Sequence, residues 1–277
     1  MSKFMGCDTE FEESRIVLFG APFDGTVTNR PGARFAPAQI RTDSFGLENY
    51  SPYTERNIED CKVFDAGDLE LPFGDTQAAM KIISEAVSGL IKSKKKPLMI
   101  GGEHLVTLPA VTQVYKEYKD LCIIHFDAHA DLRKEYMGVS LSHSTVMYHI
   151  WELLGDNRIF QFGVRSGTKE EFQFAKAGHT VFKPFNLEDV AAEIKAIGSR
   201  PVYLTIDFDV LDPSVFPGTG TPEPGGVTFN ELLDAIISMR KLNIVACDVV
   251  ELSPHYDESG ISTAAACKAI RELITIL

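Results

Sequence analysis

The chain has 277 residues, 44% of them hydrophobic, which is enough to bury a sizeable core in one large domain or two small ones. Its net charge of −12 makes nucleic acid and anionic membranes poor partners, whereas a cationic small molecule would be attracted. No apolar run reaches the roughly 18 residues of a membrane span, and no basic segment leads into an apolar one at the start, so neither a membrane helix nor a secretory signal is expected.

The five cysteines are odd in number and none lies in a Cys-x-x-Cys pair. Cys122 and Cys247 sit inside apolar runs, where buried free thiols are common. This usage predicts reduced thiols and a cytoplasmic protein.

Short apolar runs rich in Val, Ile and Phe predict strands that are covered on both faces. They are Ile16–Phe23, Lys62–Gly67, Pro97–Gly101, Leu121–Asp127, Arg158–Val164, His179–Lys183, Val202–Phe208 and Ile244–Glu251. Amphipathic patterns predict helices over Thr76–Lys92, Leu105–Tyr118, Leu187–Ile197, Thr228–Met239 and Ser262–Ile274. The alternation predicts parallel βα units in a single domain over residues 1–277.

The pattern alone leaves a closed (β/α)₈ barrel and an open doubly wound sheet as alternatives. In both folds, ligands bind at the carboxyl ends of the strands. Polar residues follow the predicted strands at those ends: Asp24, Glu103, His104, Asp127, His129, Asp131, Arg165, Asp207, Asp209 and Glu251.

One apolar strand ends in three groups that could bind a metal. Asp127, His129 and Asp131 alternate at period two, so on an extended segment their side chains point to the same side. Asp207 and Asp209 repeat the pattern at the end of another strand. Carboxylates gathered in one place repel each other, and a cation would relieve that repulsion.

A third strand end adds His104, which follows a Gly-Gly turn. Together these four aspartates and two histidines can serve two divalent ions. A set with many oxygens and few nitrogens favours octahedral Mn²⁺ over tetrahedral Zn²⁺. Two such ions about 3.5–4 Å apart can lower the pKa of a shared water and make a nucleophile at neutral pH.

Two further residues fit the hydrolysis of a cationic, nitrogen-rich group. His143 is a candidate for moving a proton to a leaving amine, since the unperturbed pKa of histidine suits that role. Glu251 ends an apolar run and could pair bidentately with a guanidinium.

These segments resemble the ureohydrolase family of arginases and agmatinases along nearly the whole chain. The resemblance lies in Gly101–His104, Phe126–Asp131, Thr205–Pro213 with Pro217–Pro222 and Gly225-Gly226, Asp248–Pro254, Ser142–Ser144, and Gly20–Asp24 with Arg30–Arg34. It implies a three-layer α/β/α sandwich with a parallel, mainly eight-stranded sheet. It also implies two Mn²⁺ per subunit and a homotrimer or homohexamer. The implied metal ligands are His104, Asp127, His129, Asp131, Asp207 and Asp209, with Asp127 and Asp207 bridging.

The chain departs from arginases where they hold the amino-acid end of their substrate. Arg133 stands where arginases carry an asparagine, and Thr168 where they carry an aspartate. The segment from Asp131 to His143 resembles the shorter bacterial and archaeal agmatinases. Agmatine, which lacks a carboxylate, is therefore the expected substrate, and putrescine and urea the expected products.

Two smaller departures concern neighbours of site residues. Glu103 stands where aspartate is the commoner form, and Ser144 where glycine is frequent. Glu170 and Glu171 are candidates for meeting the far ammonium of the substrate.

Other functions remain open from sequence. The same chemistry could act on aminopropylagmatine, guanidinobutyrate, formiminoglutamate or arginine. A zinc-dependent deacetylase of the related fold would need fewer ligands, so His104 and Asp209 argue against it. A catalytically inactive binding protein would not need the full ligand set.

Overall fold

The computed structural model describes residues 2–277. Its strands are β1 (Ile16–Ala21), β2 (Tyr50–Ser51), β3 (Arg56–Asn57), β4 (Val63–Asp68), β5 (Lys96–Gly101), β6 (Cys122–Phe126), β7 (Ile159–Phe162), β8 (Val181–Lys183), β9 (Pro201–Asp207) and β10 (Asn243–Val250). Its α-helices are α1 (Ala36–Ser44), α2 (Thr76–Lys92), α3 (Thr107–Glu117), α4 (Val146–Leu154), α5 (Lys169–Phe174), α6 (Val190–Ile197), α7 (Phe229–Ser238) and α8 (Ile261–Ile276). None of the helices in this described range is long and apolar enough to cross a membrane.

Eight strands form one sheet in the order β4-β1-β5-β10-β9-β6-β7-β8, and every neighbouring pair is parallel. Each corresponds to one of the eight predicted apolar runs. The sheet is open, so the expected α/β/α sandwich is confirmed and the barrel alternative is wrong. Strands β5, β10, β9 and β6 are consecutive neighbours in the sheet, although they are spread along the chain between residues 96 and 250.

Alternate side chains of each central strand enter two separate cores. Leu204 and Ile206 of β9 pack on one face of the sheet, and Tyr203 packs on the other. Helices α1, α6, α7 and α8 cover the first face, whereas α2, α3 and α4 cover the second. Coverage of both faces explains why the strands are near-continuous apolar runs without polar alternation.

Helix α1 was not among the predicted helices because its buried side carries charge. Arg41 is almost fully buried, and its guanidinium bonds both carboxylate oxygens of Asp65 at 2.8 and 2.9 Å. It also bonds Asp68, at the end of the same strand β4. A buried arginine and serine interrupt the apolar stripe by which a helix is recognised in sequence.

Replacing Arg41 with methionine should lower the free energy of unfolding by about 3–5 kcal/mol, because Asp65 would keep a buried and unpaired charge. Urea denaturation measures this change. Lys81→Met is the control, since Lys81 and its partner Glu85 are exposed, and its effect should stay within about 0.5 kcal/mol. Equal stability losses in the two variants would contradict the role given to Arg41.

Candidate metal centre

The candidate site lies at the carboxyl ends of the four central strands. His104 follows β5, Glu251 follows β10, Asp207 ends β9, and Asp127 follows β6. Because these strands are neighbours in the sheet, residues more than a hundred positions apart in sequence become adjacent. The predicted gathering of polar groups at strand ends is what the sheet order produces.

His104 is the centre of the first cluster. Its Nδ1 lies 3.1 Å from Asp127 Oδ2, 3.2 Å from Asp131 Oδ2 and 3.4 Å from Asp207 Oδ2. This nitrogen is fully buried and has no hydrogen-bond partner among residues 2–277. The other ring nitrogen, Nε2, lies 3.0 Å from the hydroxyl of Thr205. An unpartnered nitrogen facing three carboxylate oxygens is the arrangement expected of a cation site.

A second cluster adjoins the first through Asp127. His129 Nδ1 lies 2.9 Å from Asp209 Oδ2 and 3.5 Å from Asp127 Oδ1. The two oxygens of Asp127 therefore face different clusters. The potential ligand atoms of Asp127, His129 and Asp209 all lie within 4.8 Å of one another. Each of the six predicted ligands is thus found in one of two adjoining groups, and these residues fit a pair of divalent cations.

Electrostatics support the same interpretation. Burial, and then the charge of Asp127, raise the pKa of Asp131 to about 7. Burial and the charges of Asp209 and Asp127 raise the pKa of Asp207 well above its usual range. Burial opposes protonation of His104, but the three surrounding aspartates outweigh it and raise the pKa of the ring. Such a buried acidic set is costly unless positive charge is added.

His125 is close enough to join a metal cluster, but its hydrogen bonds assign it another role. The Gln161 amide oxygen accepts a hydrogen bond from Thr180. The amide nitrogen of Gln161 donates to the Ala130 carbonyl, so it also faces His125 Nδ1 as a donor. The Nδ1 of His125 must then accept, and its Nε2–H donates to Asp127 Oδ2 at 2.7 Å. His125 therefore orients the carboxylate of Asp127 and has no free lone pair for a metal.

Two site residues adopt left-handed backbone conformations that non-glycine residues rarely occupy. Asp131 has φ +53° and Glu251 has φ +67°. The Asp131 carbonyl accepts hydrogen bonds from Met147 and Tyr148 at the start of α4, and the Glu251 amide donates to the Gly102 carbonyl. These bonds hold both residues in strained conformations that turn their carboxylates toward the centre.

Glu251 has one carboxylate oxygen available for a ligand. Its Oε1 accepts the backbone N–H of His104 at 2.7 Å, and Oε2 has no donor among the described residues. The side chain lines a cavity of about 240 Å³ together with Asp131, His129, His143 and Asp207. Burial, and then the charge of Glu103, raise the pKa of Glu251 well above its usual range, so a cation in the cavity would stabilise its ionised form.

His143 lies in the wall of the same cavity. The sequence placed it on a loop; it begins a short 3₁₀ helix, residues 143–145, which Ser142 and Thr145 cap reciprocally. Its backbone N–H donates to the Thr26 hydroxyl at 3.1 Å. Burial lowers the pKa of His143 to about 4, so the ring is neutral at pH 7.

The residues predicted for the far end of the substrate differ in whether they line the cavity and in what they contact. Glu171 lines the cavity, but its oxygens accept the backbone N–H groups of Leu132 at 2.9 Å and Thr168 at 2.7 Å. Arg133 Nε lies 3.5 Å from Glu171, and its guanidinium stacks on Tyr136. Glu170 is exposed and is not in the cavity wall.

Several supporting residues were not found by sequence reasoning. Arg165, noted only as a polar strand-end residue, donates to carbonyls of Asp209, Val210, Leu211 and Glu223 and fixes the loop after β9. Thr26 contacts His143 across 117 positions of sequence, and Thr205 contacts His104 across 101. No local sequence pattern predicts a contact between residues that lie so far apart in the chain.

Comparison with known proteins agrees with the geometry. A model of the arginase family matches residues 14–275. An agmatinase of Bacillus cereus is 48% identical over 98% of this chain and 94% of its own length. Among solved structures, the agmatine ureohydrolase of Thermoplasma volcanium has a TM-score of 0.91 at 32% identity, covering 100% of this chain and 94% of the other. The proclavaminate amidino hydrolase of Streptomyces clavuligerus has a TM-score of 0.90 at 32% identity, covering 100% and 96%.

The chain therefore belongs to the arginase family. It is an enzyme of the ureohydrolase class, as the resemblance of its motifs predicted.

Replacing Asp127 with asparagine should remove metal binding, because this carboxylate faces both clusters. In the unchanged protein, Mn²⁺ at a hundredfold excess over its Kd should stabilise the fold by about 2.7 kcal/mol and raise the melting temperature by several degrees. Metal content after gel filtration and thermal unfolding measure both effects. Exposed Asp234→Asn is the control and should keep the metal and the shift. Full metal content in Asp127→Asn would show that the carboxylate is not a shared ligand.

Proposed function

We propose that this protein hydrolyses agmatine to putrescine and urea at a centre containing two Mn²⁺ ions, as a step in polyamine biosynthesis. The observation that carries the proposal is the unpaired Oε2 of Glu251, which lines a polar cavity directly beside the two carboxylate–histidine clusters. The agmatinase names of the relatives support the choice of substrate.

The ions would be held by His104, Asp127, His129, Asp131, Asp207 and Asp209, and the two oxygens of Asp127 face both clusters. A set dominated by carboxylate oxygens supports Mn²⁺ over Zn²⁺. When bound, the ions supply a water of lowered pKa as the nucleophile and positive charge near the reacting carbon. The rest of the chemistry falls to the protein side chains.

Glu251 holds the substrate cation in this proposal. Its Oε2 accepts N–H donors of the guanidinium, while Oε1 remains tied to the His104 backbone. A charge-assisted contact in a buried place is strong and fixes the orientation of the planar group. The guanidinium carbon is thereby presented to the clusters at the floor of the cavity.

His143 moves protons. It is neutral and lines the cavity, so it can accept a proton as the C–O bond forms and return it to the leaving nitrogen as the C–N bond breaks. Both hydrogens of the attacking water end on the amine, which leaves as an ammonium. The histidine finishes the cycle as it began.

The far end of the cavity favours a substrate without an α-amino acid group. Thr168, at an arginase recognition position, caps α5 and accepts from Glu171 N at 3.2 Å. Arg133, at the other position, is tied to Glu171 and Tyr136. Neither residue supplies the amide or the carboxylate that stands at these positions in arginases.

A second candidate substrate is favoured by Arg133 itself. Its guanidinium lines the cavity and is one-third exposed, so it could attract a distal carboxylate such as that of guanidinobutyrate. Its partner Glu171 offsets this charge and supports agmatine. The two substrates share every contact at the reacting end and differ only at the far one.

Urea release should therefore be measured after Mn²⁺ loading, with agmatine, guanidinobutyrate, aminopropylagmatine and arginine compared side by side. We expect agmatine to exceed the others by at least about tenfold in kcat/KM, a difference of about 1.4 kcal/mol in transition-state binding. Highest turnover of guanidinobutyrate would retain the proposed centre and replace the substrate. No release of urea from any of them, with two metals bound, would contradict the proposed reaction.

Glu251→Gln should lower kcat/KM by about a hundredfold or more, because the buried partner of the guanidinium loses its charge. Metal content should be unchanged, since the amide oxygen can still accept the His104 N–H. Glu170→Gln, exposed and outside the cavity, is the matched control. Near-normal kcat/KM in Glu251→Gln would mean that another group holds the guanidinium.

We also propose that the chain works as one domain in a homotrimer or homohexamer in the cytoplasm. The single eight-stranded sheet supports one domain, and the five buried free cysteines suit a reducing compartment. Apolar surface for association is offered by exposed Phe35 before α1, Phe45 after α1 and Ile261 at the start of α8.

A further inference from the structure

A chain of hydrogen bonds runs from Glu103 through Thr26 to His143, which lines the cavity. Glu103 is fully buried, and its Oε2 accepts the Thr26 backbone N–H at 2.8 Å. Its Oε1 contacts the Thr26 hydroxyl. The same hydroxyl oxygen accepts the His143 backbone N–H at 3.1 Å and lies 3.5 Å from His143 Nδ1.

The close approach of two strand ends makes this chain possible. Glu103 N donates to the Phe23 carbonyl at 2.8 Å, next to Gly102. A Cβ at Gly102 would lie 1.9 Å from that carbonyl oxygen, so only glycine lets the loop after β1 come this near. The loop then brings Thr26 between the β5 end and the 3₁₀ helix that begins at His143.

The donors and acceptors can be counted. A threonine hydroxyl has one proton to donate and two lone pairs to accept with. The Thr26 proton faces the Glu103 carboxylate, and one lone pair takes the His143 backbone N–H. The remaining lone pair faces His143 Nδ1, so that nitrogen must carry the ring proton. His143 Nε2 has no partner among the described residues and is left with a free lone pair.

We propose that Glu103 and Thr26 are positioning residues that hold neutral His143 in its Nδ1–H tautomer, with Nε2 as the proton acceptor facing the cavity. This inference rests on the proposed role of His143 in proton transfer. Nε2 takes one proton as the C–O bond forms and passes it to the amine nitrogen as the C–N bond breaks. Nδ1–H keeps its bond to Thr26 throughout, which stabilises the transient imidazolium.

The side chain of Glu103 sets the direction of these bonds. Its two oxygens span the amide and the hydroxyl of a single residue, Thr26. In its ionised form the carboxylate can only accept from both groups, which sets the direction of every following bond. A glutamine could donate to the hydroxyl, and Thr26 would then be free to donate to His143 Nδ1 and reverse the tautomer.

Thr26→Val tests the inference on the Mn²⁺-loaded enzyme, with the substrate that releases most urea. Valine removes the hydroxyl and keeps the backbone bond to Glu103. We expect kcat to fall by about 10- to 100-fold, part of the contribution of a positioned proton-transfer group, with KM within about threefold and metal content unchanged. Thr26→Ser retains the hydroxyl and should restore kcat to within about threefold of the parent.

Three results would overturn the proposal. They are a kcat of Thr26→Val within about twofold of the parent, a parallel rise in KM or loss of metal, and failure of Thr26→Ser to restore turnover. His143→Asn separates this from the proposed function. If His143→Asn is inactive and Thr26→Val is normal, only the positioning role fails. If His143→Asn retains full turnover, the proton-transfer role of His143 fails and the inference fails with it.

The tautomer can also be observed directly, without relying on activity. The chain has 7 histidines, so selective ¹⁵N labelling of the Mg²⁺-loaded protein gives a resolvable set of ring signals, with His143 assigned by its absence in His143→Asn. At mildly alkaline pH we expect an Nδ1–H ring in the parent and an Nε2–H ring in Glu103→Gln. An Nε2–H ring or an imidazolium in the parent would refute the assignment.

Discussion

Mutual repulsion among buried carboxylates is the constraint on which the rest of this structure depends. Asp127, Asp131, Asp207, Asp209 and Glu251 are all nearly inaccessible to solvent and lie at one edge of one sheet. No arginine or lysine pairs with any of them among the described residues; the neighbouring cations are histidines. The fold therefore brings together carboxylates whose mutual repulsion added cations would relieve, and the unpartnered nitrogen of His104 lies where they meet.

The surroundings hold this unfavourable arrangement in place by bonds that do not neutralise it. The guanidinium of Arg165 donates its hydrogen bonds to backbone carbonyls of the loop after β9 and not to the carboxylates of the nearby aspartates. His125 donates to Asp127 as a neutral ring, held by Gln161. The strained backbone of Asp131 and Glu251 is stabilised in the same way, by backbone hydrogen bonds. The carboxylates thus keep their geometry without a built-in cation to compensate them, which suits metal binding better than a self-compensated network would.

Much of the site can be predicted from the sequence because its signals are local. Period-two alternation after an apolar run identifies Asp127, His129 and Asp131, and placement at strand ends identifies His104 and Glu251. The sheet order cannot be predicted from the pattern, since a barrel and an open sheet contain the same runs. Helix α1 escapes prediction because buried Arg41 interrupts its apolar stripe. The roles of Thr26 and Thr205 cannot be predicted from the sequence either, because their partners lie more than a hundred residues away.

The division between strand ends and loops also explains how one centre can serve different substrates. The reacting end is fixed by residues on four neighbouring strands of a covered sheet, which cannot shift without disturbing both cores. The far end of the cavity is lined by Arg133, Tyr136 and Glu171, which lie outside the strands and contact one another through Arg133. Changes at those residues alter the charge of the cavity mouth at little cost to the fold. Specificity in such an enzyme is therefore a property of its loops, whereas the type of reaction is a property of its strand order.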